Sequence, residues 1–428
     1  MEIVLYPSRQ EYDTLLRRPH KDAADLGTIV SSVLSDVRQR GDKAVLEYEE
    51  RFDKVNLDSL IVSEAEINES EHLLNESLKQ AILSAHSNIS RFHEAQRMST
   101  VEVETAPGVK CWQKSVAIEK VGLYIPGGTA PLFSTVLMLA TPAQIAGCKE
   151  IVLCSPPSKQ GKLHPAILYA AKVAGVNRIF KCGGVQAIGA MAYGTESVPK
   201  VSKIFGPGNQ YVMCAKQQVS MTDVAIDMPA GPSEVAIVAD NTCHPEYVAA
   251  DMLSQAEHGL DSQSILFTNS EAVANAVSQE VMCQLEALPR KEMAEASLAH
   301  SRIVVLHDMQ EAFDICNEYA PEHLILAMDD AIVWSEKVVN AGSVFLGHYS
   351  CESAGDYASG TNHTLPTSGY AKAYSGVNLD SFCRKITFQY LSAEGVASIG
   401  RTVELMAEAE SLDAHRNAMT LRMRDCDN

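Results

Sequence analysis

Two adjacent side chains at the start of an apolar run could move protons. Glu322 and His323 follow Pro321 and lead into the run Leu324–Leu326. The ordinary pKa values, about 4.3 for glutamate and about 6.5 for histidine, span the range needed for proton transfer near neutral pH. Neighbouring residues of a strand point to opposite faces, so both side chains could serve one site only where the strand begins irregularly. A strand cap that contacts a neighbouring loop is the alternative interpretation.

Gln255 and His258 have a spacing that suits a metal site. They are three residues apart, so on a helix they would share one face, and Gly259 is a natural helix stop. An imidazole and an amide oxygen could bind zinc, although glutamine is an unusual ligand. A capped surface pair has the same spacing, and the local pattern leaves both interpretations open.

The stretch "CESAGDYASGTNHTLPTSGY", residues 351–370, is rich in glycine and hydroxyl-bearing residues. Such a composition is typical of a long functional loop. Its Glu352, Asp356 and His363 offer carboxylate and imidazole groups, which suit a divalent metal or a polar substrate. Turn-capping roles for its Asp and Ser residues are the alternative.

Glu410 and His415 lie near the end of the chain in "TVELMAEAESLDAHRNAMTLRMR". The periodicity predicts one amphipathic helix of roughly 25 residues. Residues five apart on a helix diverge by about 140°, so this pair could reach one ligand only at the helix flank or where the helix is irregular.

Glycine-rich turns mark a third kind of candidate site. Both "LYIPGGTAPLFST" and "IFGPGNQYV" follow a strand-like run and open a helix-like one. Backbone N–H groups at such turns can hold a pyrophosphate, but neither turn contains G-x-G-x-x-G and that pattern occurs nowhere in the chain. In "DMPAGPSEV", Ser233 precedes a strand, where a structural turn and a ligand contact are equally plausible.

Composition excludes several classes of function. The chain has 428 residues, 46% of them hydrophobic and 21% charged, with a formal net charge of −19. Phosphate backbones and anionic membranes attract basic surfaces, so neither a nucleic acid nor a membrane is an expected partner. The eleven cysteines are scattered and form no C-x-x-C pair, which indicates reduced thiols. With no signal-peptide pattern at the start, the protein is expected to be cytoplasmic.

Alternating apolar runs and helical stretches predict an α/β protein. Two series of this kind indicate two doubly wound parallel-sheet domains, each an incomplete Rossmann-like unit, with a helical N-terminal arm and a C-terminal helical tail. The expected boundaries are 1–21 for the arm, 22–121 together with 236–378 for a first, discontinuous domain, 122–235 for a second domain, and 379–428 for the tail.

Read together, these motifs resemble the histidinol dehydrogenase family. The matching stretches occur in the family's order and cover the chain from about residue 120 to its end. They are "GLYIPGGTAPLFSTVLMLATPA", "GTESVPKVSKIFGPGN", "AIDMPAGPSEV", "MLSQAEHG", "PEHLI", "AGSVFLG", "ESAGDYASGTNHTLPT" and "AESLDAHRNA".

The resemblance implies a role for each candidate residue. Glu322 and His323 match the family's acid/base pair. One zinc ion per subunit would be held by Gln255, His258, Asp356 and His415. Contacts to the substrate are implied for Ser233, Gln255, His258, His323, Glu352, Asp356, His363, Glu410 and His415. Tyr124, Gln186 and Asn209 match positions along an NAD groove, which in this family lacks the usual dinucleotide fingerprint.

The implied reaction is the oxidation of L-histidinol to L-histidine through histidinal, with NAD as the oxidant. It forms the last two steps of histidine biosynthesis. The implied assembly is a homodimer whose C-terminal tails complete each other's active sites, with 122–235 as the NAD-binding side. Three rivals stay open: a dehydrogenase for another primary alcohol, a zinc hydrolase with Glu322 as base, and a binding protein without catalysis.

Overall fold

Two parallel sheets, one small antiparallel sheet and the surrounding helices make up the protein in a computed structural model. The structure describes residues 1–19, 26–127, 130–176, 178–229 and 231–426. The strands are β1 (Glu2–Leu5), β2 (Val101–Ala106), β3 (Val109–Ala117), β4 (Lys120–Tyr124), β5 (Glu150–Ser155), β6 (Arg178–Lys181), β7 (Lys203–Phe205), β8 (Ala225–Ile226), β9 (Glu234–Ala239), β10 (Gln263–Thr268), β11 (Arg302–Val305), β12 (His323–Ala327), β13 (Ser343–Leu346) and β14 (Cys383–Leu391).

The helices cover both faces of the two parallel sheets. They are α1 (Tyr12–Leu15), α2 (Leu26–Arg40), α3 (Asp42–Tyr48), α4 (Glu64–His72), α5 (Glu76–Glu94), α6 (Phe133–Ala146), α7 (Pro165–Val173), α8 (Gly184–Tyr193), α9 (Gln210–Ser220), α10 (Pro245–Ala256), α11 (Glu271–Leu285), α12 (Lys291–Leu298), α13 (Met309–Tyr319), α14 (Ala331–Trp334), α15 (Glu352–Tyr357), α16 (Ala393–Ala409) and α17 (Asp413–Cys426). No helix among the described residues is long and apolar enough to cross a membrane.

Each parallel sheet reverses its strand order once, as doubly wound sheets do. The larger sheet has the order β1-β11-β10-β9-β12-β13 and the smaller one β6-β5-β4-β7-β8. Every residue of β9, β10 and β12 is buried, because helices cover both faces of the sheet. The predicted α/β class with two doubly wound parallel sheets is therefore confirmed.

The helices of residues 26–94 pack on the smaller sheet. Val30, Val33 and Val37 of α2 share an apolar cluster with Tyr124 and Val152, and α5 contributes to the cluster on the other face. The grouping of 22–121 with 236–378 stays a prediction, but the apolar stripes of these helices are buried against the sheet of residues 120–226. The periodicity predicted amphipathic helices but carried no information about which sheet they would cover.

Both chain ends differ from the predicted helical segments. Strand β1 pairs in parallel with β11 at the edge of the larger sheet, so the N-terminal arm is partly a strand. At the other end, β14 pairs antiparallel with β3, and β2 completes a three-stranded sheet. The predicted C-terminal tail thus contains nine residues of strand before its helices, which helical periodicity does not reveal.

The single C-terminal helix predicted from the sequence is two helices. Ser411 adopts a left-handed φ of 58° after α16. The Leu412 N–H donates to the Ala407 carbonyl and the Ser411 N–H to the Glu408 carbonyl, which together form a Schellman helix end. Glycine usually occupies this left-handed position, so a serine there gave no signal in the sequence. The prediction that Glu410 and His415 share one helix is wrong.

Candidate active site

Buried acidic and imidazole groups meet at the amino-terminal edge of the larger sheet. His323 is the first residue of β12, and its Nδ1 lies 3.8 Å from Glu322 Oε2 and 3.7 Å from Glu352 Oε1. Its Nε2 lies 3.5 Å from Asp356 Oδ1. Side chains of Glu322, His323 and Glu352 are at most 7% exposed. We call these four residues the acidic cluster.

The irregular start of β12 turns Glu322 and His323 toward each other. Helix α13 ends at Ala320, whose φ of 52° is left-handed, and Pro321 follows it. Glu322 Oε2 then accepts a hydrogen bond from the backbone N–H of Glu234, at 3.0 Å, where the neighbouring strand β9 begins. This N–H fixes one oxygen of Glu322, so the carboxylate stays beside His323 and does not turn outward.

Glu352 and Asp356 lie one helical turn apart. The segment 351–370 was predicted to be a long loop, but its first part is the short helix α15, and residues four apart share a helix face. The predicted loop begins only after Tyr357. Both carboxylates therefore reach the acidic cluster from one rigid element.

The pKa values of the cluster reflect burial and crowding of like charge. Burial raises the pKa of Glu322 and of Glu352 to about 8 each, although His323 opposes this change. Burial disfavours the charged form of His323, but the surrounding carboxylates outweigh it and raise its pKa to about 10. Asp356 is the exception, because contact with His323 outweighs burial and lowers its pKa. Three carboxyl groups therefore surround one imidazole, and their negative charge favours the protonated form of His323.

The cluster has the donor set of a metal site. Ligand atoms of His258, Glu352 and Asp356 lie within 4.8 Å of one another. Both oxygens of Glu352, both nitrogens of His323 and both amide atoms of Gln255 are buried without a hydrogen-bond partner. Buried polar atoms are normally paired, so this concentration of unpaired atoms fits a bound cation and a polar ligand. Carboxylate, imidazole and amide oxygen together suit a divalent ion such as zinc.

Helix α10 carries Gln255, and His258 reaches the acidic cluster just after the end of this helix. Gln255 lies inside α10 and is fully buried, whereas His258 follows the helix end and is exposed. They therefore do not share a helix face as their spacing predicted. Helix α10 contacts α15, which carries Glu352 and Asp356. His258 closes the exposed side of the cluster.

His363 is held between the cluster and α6. Its Nδ1 lies 3.0 Å from the carbonyl oxygen of Asp356, which can only accept, so Nδ1 carries the proton. Burial lowers the pKa of His363 and favours the neutral ring. Its Nε2 is then an acceptor, and the Thr135 hydroxyl lies 3.2 Å away to donate to it. Thr135 carried no signal in the sequence.

A proline in α6 helps to anchor the same loop. Pro142 has no N–H, so the carbonyl of Met138 lacks its partner four residues later. The Asn362 side chain donates to that carbonyl at 2.6 Å. The carbonyl that Pro142 leaves free in α6 thereby accepts a hydrogen bond that anchors the loop with His363.

A buried network beneath the cluster was also missed by sequence reasoning. Arg18 forms a two-point ion pair with Glu234 and donates to the Tyr319 carbonyl at 2.7 Å. The Tyr319 hydroxyl donates to Gln263 Oε1 at 2.8 Å. Since Glu234 follows Ser233 and its N–H holds Glu322, this network supports both the proposed substrate residue and the acidic cluster.

Glu410 and His415 lie apart from the cluster of their own chain. Both are exposed, on either side of the turn that joins α16 and α17. Helices α16 and α17 pack on each other, and α16 also contacts the antiparallel sheet. Within the described part of the chain, neither residue forms a hydrogen bond or an ion pair with the acidic cluster.

A cavity of about 1000 Å³ lies at the carboxyl-terminal edge of the smaller sheet. This edge is where open α/β sheets bind ligands, at the point where the strand order reverses. Tyr124, Gln186 and Asn209 all line the cavity, which we call the groove. The Tyr124 hydroxyl accepts from the Gly184 N–H at 3.1 Å, and Asn209 caps α9 through its side-chain oxygen.

The glycine turn before α9 is shaped by close packing and a buried ion pair. At Gly206, φ is 124°, and a Cβ there would lie 2.0 Å from the Tyr124 carbonyl oxygen, so only glycine fits. Lys216 is 1% exposed and bonds to Asp227 and to the Gly206 carbonyl. Asp227 in turn accepts from the Gly206 N–H. Part of the other turn, residues 128–129 of "PGGTAP", lies outside the described residues.

Two doubly wound sheets, with polar side chains gathered at their strand ends, place this protein in the class of two-sheet α/β enzymes.

The family model for histidinol dehydrogenase matches residues 16–423. Histidinol dehydrogenase of Bacteroides thetaiotaomicron is 60% identical over 423 residues, 99% of each chain. The chloroplastic histidinol dehydrogenase of Arabidopsis thaliana is 52% identical, over 98% of this chain and 90% of that one. A crystal structure of histidinol dehydrogenase from Elizabethkingia anophelis matches with a TM-score of 0.98 at 52% identity, covering 100% of this chain and 99% of that chain.

The chain therefore belongs to the histidinol dehydrogenase family, and it is an oxidoreductase.

Proposed function

We propose that the protein oxidises L-histidinol to L-histidine in two steps that depend on zinc and NAD. One histidinol, two NAD⁺ and one water give one histidine carboxylate, two NADH and three protons. Histidinal, the product of the first step, stays bound until the second. The observation that carries the proposal is the acidic cluster with its buried, unpaired polar atoms, in a chain that also has a groove large enough for a dinucleotide.

The proposed zinc ligands are Gln255, His258 and Asp356, with His415 of the partner subunit as the fourth. Their support is the donor set of amide oxygen, imidazole and carboxylate, and the burial of Gln255 without partners. When bound, the cation would orient the substrate's imidazole and amine and offset the negative charge that now favours the protonated form of His323. Ser233, Glu352, His363 and Glu410 complete the proposed substrate contacts.

His323 and Glu322 are the proposed proton carriers. In the first step, His323 takes the proton of the substrate hydroxyl while a hydride leaves the neighbouring carbon. In the second, Glu322 accepts a proton from the water that adds to the aldehyde, and His323 assists. The 3.8 Å separation allows both groups to serve one reacting carbon. The Glu234 N–H leaves the second oxygen of Glu322 free to act as base.

NAD is the proposed occupant of the groove, with contacts to Tyr124, Gln186 and Asn209. It would accept one hydride in each of the two steps. Helix α6 begins two residues after Pro131, which lines the groove, and it reaches His363 through Thr135, so this segment joins the groove to the substrate loop. This continuity supports a hydride transfer between the two sites.

A homodimer is the proposed assembly. The antiparallel sheet and α16 expose large apolar side chains, among them Val101 at 59%, Tyr390 at 58% and Met406 at 61%. Burial of such a surface against a second copy would be favourable and would carry the exposed Glu410 and His415 toward the other chain's cluster. All eleven cysteines are unpaired, which supports the proposed cytoplasmic location.

The stoichiometry of NADH tests this proposal. Absorbance at limiting histidinol should show two NADH per substrate, and a chelator should abolish the reaction until zinc is restored. One NADH per substrate would restrict the enzyme to the alcohol step. Turnover without NAD would favour a zinc hydrolase. Turnover only with another primary alcohol would show that histidinol is not the substrate.

A further inference from the structure

Glu49 lies beside the groove in an unusual turn. Residues Glu49–Asp53 form a single π-helical turn, which ends at Lys54 with a left-handed φ of 59°. Such turns are rare and occur often at functional sites. The neighbouring residues Tyr48, Arg51 and Asp53 line the groove, while Glu49 itself is fully buried beneath it.

One oxygen of Glu49 accepts two hydrogen bonds, one from Gln186 of the groove and one from the backbone beside it. Glu49 Oε1 accepts from the backbone N–H of Gly183 at 2.9 Å and from Gln186 Nε2 at 2.8 Å. Gly183 precedes α8, and Gln186 lies in its first turn. The Glu49 carboxyl group therefore holds the side-chain amide of Gln186 close to the start of α8, the helix that contains Gln186.

These two bonds determine which way the Gln186 amide faces. The Gly183 N–H can only donate, so Glu49 Oε1 is an acceptor whether or not the acid is ionised. Burial raises the pKa of Glu49 to about 8. In the neutral acid the carbonyl oxygen is a stronger acceptor than the hydroxyl oxygen, so the oxygen that accepts the two hydrogen bonds is the one without the proton. The Gln186 NH₂ must therefore face Glu49. A flipped amide would set two acceptors against each other.

The remaining atom of the amide is an unpaired acceptor at the groove. Gln186 is 1% exposed, lines the groove, and its Oε1 is buried without a hydrogen-bond partner. A ligand group placed there must donate a hydrogen bond, because a phosphate or carboxylate oxygen would meet another acceptor. In a dinucleotide such donors are the ribose hydroxyls and the carboxamide NH₂.

We propose that Glu49 is a positioning residue for the cofactor: it holds the Gln186 amide so that its oxygen accepts a hydrogen bond from a ribose hydroxyl or the carboxamide of the dinucleotide. This role rests on the proposed NAD-dependent function. Glu49 touches neither substrate nor cofactor, and it acts only through Gln186.

Calorimetric titration of the zinc-loaded protein with NAD tests this role. Glu49→Leu should weaken NAD binding about 5- to 10-fold, as expected for one lost hydrogen bond. Glu49→Gln keeps a carbonyl acceptor and should bind NAD within about twofold of the wild type. The KM for NAD should rise in the leucine variant, while kcat at saturating NAD and the KM for histidinol change much less.

The same variants in a Gln186→Met background separate positioning from structural support. If Glu49 acts through the amide, Glu49→Leu should cause no further loss of NAD affinity there. If the full loss persists, the carboxyl serves the Gly183 backbone instead and the proposal is wrong. Thermal unfolding of each variant checks that the comparison is made between folded proteins.

An NAD analogue with an acetyl group in place of the carboxamide identifies the donor. If the carboxamide donates, Glu49→Leu should weaken NAD but not the analogue, and if a ribose hydroxyl donates, it should weaken both equally. NAD affinity unchanged in Glu49→Leu would overturn the positioning role while leaving the proposed function intact. Absence of NAD binding by the wild-type protein would instead overturn the proposed function.

Discussion

The Thr135 hydroxyl lies 3.2 Å from Nε2 of His363, and this contact joins helix α6 to the loop that follows the acidic cluster. The two residues are 228 positions apart in the chain. Because the Asp356 carbonyl requires a proton on Nδ1, the threonine must donate. The pair therefore selects one tautomer of His363 and holds the loop against α6.

Thr135→Val tests the importance of this contact. Valine has nearly the same shape but leaves Nε2 without its donor, so the ring is no longer held in one tautomer. We expect kcat/KM for histidinol to fall about 3- to 10-fold, which corresponds to one hydrogen bond. Thr135→Ser keeps the hydroxyl and should remain close to wild type. Equal losses in both variants would indicate a packing effect.

Glu322→Gln should separate the two oxidation steps. The amide keeps an oxygen for the Glu234 N–H but cannot take a proton from water, so the second step should slow by about 10²–10⁴-fold. In a single turnover with excess enzyme, NADH should appear in one fast and one slow phase of equal amplitude. His323→Asn, the comparison variant, should slow the first phase as well. Two fast phases in Glu322→Gln would exclude it as the base.

The stability of the metal-free protein should depend on pH. Glu322 and Glu352 have pKa values of about 8, above the ordinary value of about 4.3, and that of His323 is about 10, above about 6.5. The folded protein therefore binds more protons than the unfolded chain across these windows. Its unfolding free energy should fall as pH rises from 6 to 9.

Urea denaturation of chelator-treated protein at several pH values measures this dependence. Zinc-loaded protein is the control, because a bound cation takes over the role of the protons and should reduce the slope. A metal-free protein that is equally stable or more stable at pH 9 would contradict the assigned pKa changes.

Mixed dimers test the proposed sharing of active sites between the subunits of the proposed homodimer. Gln255→Ala and His415→Ala should each inactivate the homodimer. After equal mixing, about half of the dimers are mixed, and each has one site without either change, so activity should recover to about a quarter of the wild type. Zinc content should recover in parallel. If each site were built from one chain, mixing would restore neither activity nor zinc.

Lys216→Met should lower the free energy of unfolding of the protein. It leaves Asp227 buried without its cation, which costs about 3–5 kcal/mol of unfolding free energy. Lys149→Met removes an exposed ion pair with Glu119 and should change stability by less than about 1 kcal/mol. Denaturant titration compares the two. A double variant that also carries Asp227→Leu should recover part of the loss, because no unpaired charge remains.

Local sequence was sufficient to predict most strands and helices, but not where the helices end or which elements they pack against. Runs such as "EVAIVAD" and "HLILAM" predicted the buried strands β9 and β12, since continuous apolar residues reflect a sheet covered on both faces. The break at Ser411 was missed, because its left-handed conformation depends on the packing of α16 and α17 and on the two hydrogen bonds of the helix end.

The sequence by itself predicted acid/base and metal-binding chemistry for this chain, through Glu322, His323, Asp356 and the motifs around them. Only the tertiary structure decided what holds those groups in place. Three hydrogen bonds do so, and each joins residues at least 88 positions apart. The Glu234 N–H donates to Glu322, the Thr135 hydroxyl donates to His363, and the Gln186 side chain donates to Glu49. Such contacts arise when separate strands and helices pack together, and no periodicity or spacing along the chain records them.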